Sequence, residues 1–166
     1  MKLLTILNDE NITDDEIETY KHRRAVRVIV TDDENKIALV HAKIRGYYEL
    51  PGGGVEADET LEEGAIREVK EEAGCDIKII SEVGIVKEYL RDKKLINETF
   101  CYKANVIGTK GNLNLMQDEI KEGKEMLWVS ISEALSLLES TSEISLYATP
   151  MQVKYTKVRD ISFLTT

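Results

Sequence analysis

The segment that most restricts the fold runs from Thr60 to Gly74 and encodes both of its own ends. Thr60-x-x-Glu63 has capping-box spacing, in which threonine and glutamate each satisfy the other's backbone donor. Gly74 follows the last periodic residue and suits the left-handed conformation that closes a helix. Leu61, Ala65, Ile66, Val69 and Ala73 share one arc of the wheel, which predicts a helix lying with that arc on a sheet. Glu68, Glu71 and Glu72 fill the neighbouring arc, at the edge of the buried face. Like charges three and four apart oppose a helix by roughly 0.2–0.5 kcal/mol per pair, so this cluster calls for a counter-charge.

The flanks supply the sheet. Ala25–Thr31 and Lys36–His41 are strand-like runs around the turn signal Asp32–Asn35, and predict a hairpin. Tyr47–Leu50 predicts a short strand entering Pro51-Gly52-Gly53-Gly54. Beyond Gly74, residues 76–90 and 95–107 predict two long strands joined by the turn Arg91–Lys94. Residues 1–8 predict an edge strand, 9–19 a turn or short helix, 108–123 a polar loop, and Met126–Val129 a strand. Ser130 or Ser132 caps a helix through Leu138, and Thr149-Pro150 starts a last one with proline at its first position. This order predicts an α/β (α+β) fold, one domain over 1–166, with a mixed sheet between helices.

Charge narrows the function. Asp plus Glu number 31 against 22 Lys plus Arg, a formal net charge of −9. Such a chain has no broad attraction for nucleic acid or anionic membrane, so an anionic ligand needs local cations. No apolar run approaches the ~18 residues of a spanning helix, and the start MKLLTILNDEN has no cleavage-site pattern. The expectation is a cytoplasmic chain with Cys75 and Cys101 as free thiols.

Three glycines in a row let backbone carbonyls and amides approach a ligand closely. A glycine loop feeding a helix of clustered carboxylates makes a hard-oxygen site that suits Mg²⁺. No His or Cys cluster lies nearby, which argues against zinc. Gly64, four residues before Glu68, either leaves room for a ligand or is an unoptimised position.

Gly53, Glu59 and Arg67-Glu68-Val69-Lys70-Glu71-Glu72-Ala73-Gly74-Cys75 resemble the full Nudix box, G-x5-E-x7-R-E-U-x-E-E-x-G-U, where U is aliphatic. Cys75 at the last U is the single departure, and it can pack as an apolar residue. The resemblance is clearest over residues 22–140. It implies a Nudix-type α/β/α sandwich that hydrolyses a nucleoside diphosphate linked to a group X. Glu68, Glu71 and Glu72 then match the metal-binding carboxylates, and Gly52 the residue whose carbonyl faces the metal. Arg67 matches the arginine that orients the glutamates, and Glu59 a structural glutamate. Mg²⁺ is the implied cofactor, with Mn²⁺ as a substitute.

For the general base, Glu125 is preferred because it precedes Trp128 by three residues, with Glu119 and Glu122 as alternatives. Arg27 alternates away from Val26 and Val28 and can reach a phosphate; Arg23 is a weaker candidate. Tyr48 or Tyr47 can stack on a base. His22 and His41 are isolated and are assigned no chemistry. The upstream coenzyme A pattern is absent, and so is the proline that marks ADP-ribose enzymes, since only Pro51 and Pro150 occur. Tyr89 is a near miss for the dinucleoside-polyphosphate marker. The entry YYELPGGGVE is most similar to the nucleoside-triphosphate branch, canonical or oxidised bases included, releasing a monophosphate and pyrophosphate. Dinucleoside polyphosphates or nucleotide sugars such as ADP-ribose are the alternative, and a nucleotide-sensing module without turnover is the second. A homodimer contact is open, through the 76–107 hairpin or the termini.

Overall fold

The computed structural model describes residues 1–110, 123–141 and 148–166. The elements are β1 (Leu3–Leu7), α1 (Asp14–Ile17), β2 (Lys21–Thr31), β3 (Ile37–Ala42), β4 (Tyr47–Glu49), α2 (Leu61–Ala73), β5 (Asp76–Leu90), β6 (Leu95–Ile107), β7 (Lys124–Val129), α3 (Ile131–Ser140) and α4 (Pro150–Leu164). Seven strands form one sheet in the order β1-β5-β6-β2-β3-β4, with β7 paired to β3. β1/β5 and β2/β6 run parallel and the other pairs antiparallel, so the sheet is mixed. Among the described residues no helix is long and apolar enough to cross a membrane.

One face of the sheet packs on α2, through Val26, Val28 and Val30 against Ala65, Val69 and Ala73. The other face packs on α3 and α4, where Ala134, Leu138 and Phe163 meet Ile29, Leu39 and Val86. Strand alternation places Val28 and Ile29 in different cores. The two cysteines are free and buried, Cys75 in the first core and Cys101 in the second.

The helix ends follow their local chemistry. Thr60 and Glu63 form the capping box, and Gly74 closes α2 at φ 64°. Ser130 caps α3, and Thr149 with Gln152 caps α4, whose first turn carries Pro150.

Four expectations need correction. β2 begins at Lys21, because parallel pairing with β6 runs from Lys21–Leu95 to Thr31–Asn105 and recruits a polar stretch that lacks strand propensity. Likewise β7 begins at Lys124, carried by the ladder to β3. The predicted β2–β3 hairpin pairs only beside its turn, Thr31 with Ile37. The edge of β2 is taken by the glycine loop instead: the N–H groups of Val26 and Val28 donate to Gly53 and Pro51 carbonyls at 2.9 and 3.0 Å. Ile66 is not in the core but 43% exposed, while Glu68 and Glu72 are buried, so α2 is rotated toward its glutamate arc.

Candidate active site

The site begins with the contact between the glycine loop and α2. Gly52 adopts φ +139°, and a Cβ there would stand 2.2 Å from the Val26 carbonyl oxygen. A Cβ on Gly53 would stand 2.5 Å from Glu68 Oε1. Glycine at both positions lets the loop lie between β2 and α2, with the Gly52 N–H donating to Glu72 Oε2 at 2.8 Å. Gly64 serves the same approach from the helix side, since its hydrogen faces Val55 and Glu59. It is a packing position, not room for a ligand.

Arg67 organises the near end of the cluster. Its Nε and Nη2 donate to Glu59 Oε1 and Oε2 at 2.6 and 3.0 Å, and Nη2 also to the Gly54 carbonyl at 2.9 Å. Nη1 donates to Glu68 Oε1 at 2.9 Å and Glu71 Oε2 at 3.3 Å. One planar guanidinium thus ties three carboxylates to the loop. The hydrogen bond from Arg67 holds the Glu59 carboxyl down at about 2.

Glu72 stands at the far end, 2% exposed. Its Oε1 accepts from Lys124 Nζ at 2.6 Å. Burial pushes its carboxyl up to about 8, against the opposing pull of Lys124. Burial also raises Glu68. Lys124 stands 3.9 Å from Glu49 Oε1 as well, so it sits between two buried carboxylates. Burial pushes Glu49 up, but Arg27, Lys124 and Arg159 outweigh it and hold it below the usual range.

Arg27 and Gly52, both assigned to a ligand from sequence, are paired with each other: Arg27 Nη1 donates to the Gly52 carbonyl, and Nη2 to Glu49 Oε2 at 2.5 Å. Glu125 lies away from the cluster, with its carboxylate at 3.0 Å from His41 Nδ1 and 2.6 Å from Lys43 Nζ. Neighbours on a strand face opposite sides, so the residue of β7 that reaches α2 is Lys124. Glu119 and Glu122 lie outside the described residues. Tyr48 stacks on His41 at 4.3 Å between ring centroids, and Tyr47 is buried. His41, assigned nothing from sequence, is therefore a partner of both Tyr48 and Glu125. Trp128 is half-buried beneath Lys110, whose Nζ is 3.8 Å from the ring centroid.

A cavity of about 320 Å³ lies between the sheet and α4, lined by Arg23, Arg27, Tyr47, Glu49 and Arg159 among others, and it is linked to the cluster through Arg27 on Gly52 and Lys124 between Glu49 and Glu72. Arg23 Nη1 donates to Asn97 Oδ1 at 2.9 Å. Sequence reasoning missed Glu49, Lys124 and Arg159. For Glu49 a signal existed, a lone acid in an otherwise apolar and aromatic strand; Arg159 and Lys124 reach the site from distant segments and carried none.

As placed, no three His, Cys, Asp or Glu side chains among the described residues gather closely enough to hold a metal ion. Glu68 and Glu71 are held by Arg67, and Glu72 by Lys124. The donor set still fits a hard divalent cation: three carboxylates on one helix, two of them raised by burial, and a Gly53 that leaves Glu68 its space.

A model of the NUDIX domain matches residues 21–149. An ADP-ribose pyrophosphatase of Methanocaldococcus jannaschii is 37% identical over 82 residues, 48% of each chain. Human diphosphoinositol polyphosphate phosphohydrolase 2 is 28% identical over 123 residues, 74% of this chain and 64% of that one. The match thus spans about half to two thirds of the length of these relatives. Among solved structures, a NUDIX hydrolase from Nitrosomonas europaea superposes with a TM-score of 0.60 at 22% identity, covering 84% of this chain and 90% of that one. With the box residues assembled on α2 and the domain match extending over most of the sequence, the chain belongs to the Nudix family.

Proposed function

We propose that this chain hydrolyses the phosphate anhydride of a nucleoside diphosphate linked to a second group, with Mg²⁺ as cofactor and Mn²⁺ as a substitute. The observation that carries this reading is the row Glu68, Glu71 and Glu72, held by Arg67 and Lys124 against the glycine loop. The name of one relative, an ADP-ribose pyrophosphatase matched over 82 residues, favours a nucleotide-sugar substrate of the ADP-ribose type over the triphosphate that the upstream sequence suggested. The missing proline marker weighs less than a relative of that name at 37% identity.

Glu68, Glu71 and Glu72 would hold the metal, which when bound neutralises phosphate charge and lowers the pKa of a water. The chain's own groups do the positioning. Arg67 fixes the rotamers of Glu68 and Glu71 against the loop, and the Gly52 N–H fixes that of Glu72. Lys124 keeps the buried Glu72 carboxylate compensated. The water oxygen adds to one phosphorus, and the bridging oxygen leaves on the other phosphate and takes up a proton. A nucleoside monophosphate and a phosphorylated sugar result. Glu125 is not carried forward as the base, because His41 and Lys43 hold it elsewhere; the box glutamates are the proton acceptors at the site among the described residues.

The test is a panel of ADP-ribose, other nucleotide sugars, dinucleoside polyphosphates and canonical and oxidised triphosphates, with and without Mg²⁺. Metal-dependent cleavage of ADP-ribose or a related nucleotide sugar is expected. The Glu72→Gln variant should fold normally by circular dichroism yet turn over at least about tenfold more slowly, a loss of ~1.4 kcal/mol or more in transition-state stabilisation. Unchanged turnover in that variant overturns the metal-site assignment. Binding of a nucleotide with no cleavage of any substrate would favour the sensing module.

A further inference from the structure

The cavity under α4 holds a buried arginine, Arg159, that the hydrolase reading leaves without a role. Among the described residues its lining includes Arg23, Arg27 and Arg159 beside the carboxylates Glu49 and Glu88. The surrounding chain has a formal net charge of −9, so this concentration runs against the composition. Arg27 is paired with Glu49 and Arg159 Nε with Asp160, whereas Arg23 and the Nη2 of Arg159 lack an anionic hydrogen-bond partner among the described residues.

Arg159 is the sharpest case. It comes from α4, all of which follows the residues matched by the domain model, and it is 5% exposed. Its Nε donates to Asp160 Oδ1 at 2.7 Å. Its Nη1 and Nη2 stand 3.6 Å from Glu88 and 3.8 Å from Glu49, beyond hydrogen-bond range. Nη2 has no hydrogen-bond acceptor among the described residues. A buried guanidinium donor without an acceptor is rare and points to one supplied by a ligand. Arg23, at the same cavity, donates to the neutral amide of Asn97 and forms no ion pair within 4.0 Å among the described residues. Burial, with repulsion from Arg27, lowers its guanidinium pKa, as expected of cations crowded together. A neutral base is the weaker occupant: the two aromatic residues of the lining, Tyr47 and Tyr155, are buried, which leaves little ring face to stack on.

We infer that this cavity binds a further phosphate on the substrate, so that X is a phosphorylated, polyanionic group and Arg159 and Arg23 are its specificity determinants. This rests on the pyrophosphohydrolase reading for the anhydride itself. Guanidinium–phosphate contacts are charge-assisted and often bidentate, which rewards the extra phosphate strongly.

Two measurements test it. The first compares kcat/KM, with Mg²⁺, for ADP-ribose and for ADP-ribose bearing a phosphate on its distal ribose. The scissile anhydride is the same in both. The wild type should prefer the phosphorylated substrate by about tenfold or more, and Arg159→Lys and Arg23→Gln should each cut that ratio at least about threefold. The second measures binding of inorganic tripolyphosphate by calorimetry in a chelator, without turnover. Binding should weaken with salt and fall at least about threefold in both variants, with Arg23→Gln keeping the inference testable if Arg159→Lys fails to fold. Equal turnover of the two substrates by the wild type overturns the inference and leaves the hydrolase reading intact. No turnover of either, with tripolyphosphate binding that both folded variants weaken, overturns the hydrolase reading and sustains the anion site. Tripolyphosphate binding that neither variant changes overturns the inference whatever the turnover.

Discussion

Gly52 and Gly53 are adjacent yet fail in different ways. At Gly52 a Cβ would press on backbone, the Val26 carbonyl, in a conformation L residues rarely adopt. Nothing there can yield cheaply, so Gly52→Ala should lower unfolding free energy by roughly 2–4 kcal/mol in urea titration. At Gly53 the Cβ would meet the end of the Glu68 side chain, which can swing away. Gly53→Ala should therefore cost less than about 1 kcal/mol in the same titration. It should still cut Mg²⁺-dependent turnover by about tenfold, because Glu68 loses its place. Equal stability losses in the two variants would contradict this division of labour.

At the scale of elements, the loop and α2 are clamped by Arg67 and Glu59. Glu59 has a folded pKa of about 2, lowered first by the Arg67 hydrogen bond and then by the Glu56 N–H. An acid depressed on folding binds fewer protons folded than unfolded, so its contribution is complete above the unfolded value near ~4.3 and is lost as pH falls toward the folded one. The stability gap between wild type and Glu59→Gln, read from thermal melts, should be constant above about pH 5 and close as pH falls from there to about 2. A gap that stays constant through that window would show that the clamp does not depend on the charge of Glu59. The capping residues of α2 were legible because caps are local: Thr60, Glu63 and Gly74 act within a turn of their own positions. Ile66 was misread because a wheel gives an arc but not the rotation of the helix on its sheet, which the contact of Glu68 and Glu72 with the glycine loop sets here.

For the whole molecule the decisive contact joins the chain's last helix to the site. Asp160 is 0% exposed; its Oδ2 accepts from the Leu50 N–H at 2.7 Å, and its Oδ1 from Arg159. Leu50 begins the turn into the glycine loop, so α4 holds both the loop and the arginine at the cavity. Removing one partner of a buried pair leaves the other charge uncompensated, and Asp160→Asn should cost roughly 3–5 kcal/mol in chemical denaturation. If that variant is as stable as wild type, α4 is not a structural brace for the site.

Sequence by itself determined what depends on neighbours along the chain. Both ends of α2, the start of the last helix, the long strands 76–90 and 95–107 and the glycine loop were readable, because capping, β-branching and fixed spacing are local constraints. Tertiary structure alone decided which side chains meet. The register of β7 on β3 sends Lys124 to Glu72 and Glu125 to His41, and a slip of one residue would exchange them. Arg27 meets Gly52 because the loop pairs with β2, and Arg159 enters the cavity because α4 packs over β4. Such contacts join residues from 25 to more than 100 positions apart, and their geometry follows from sheet register and helix packing, which no single stretch of sequence carries.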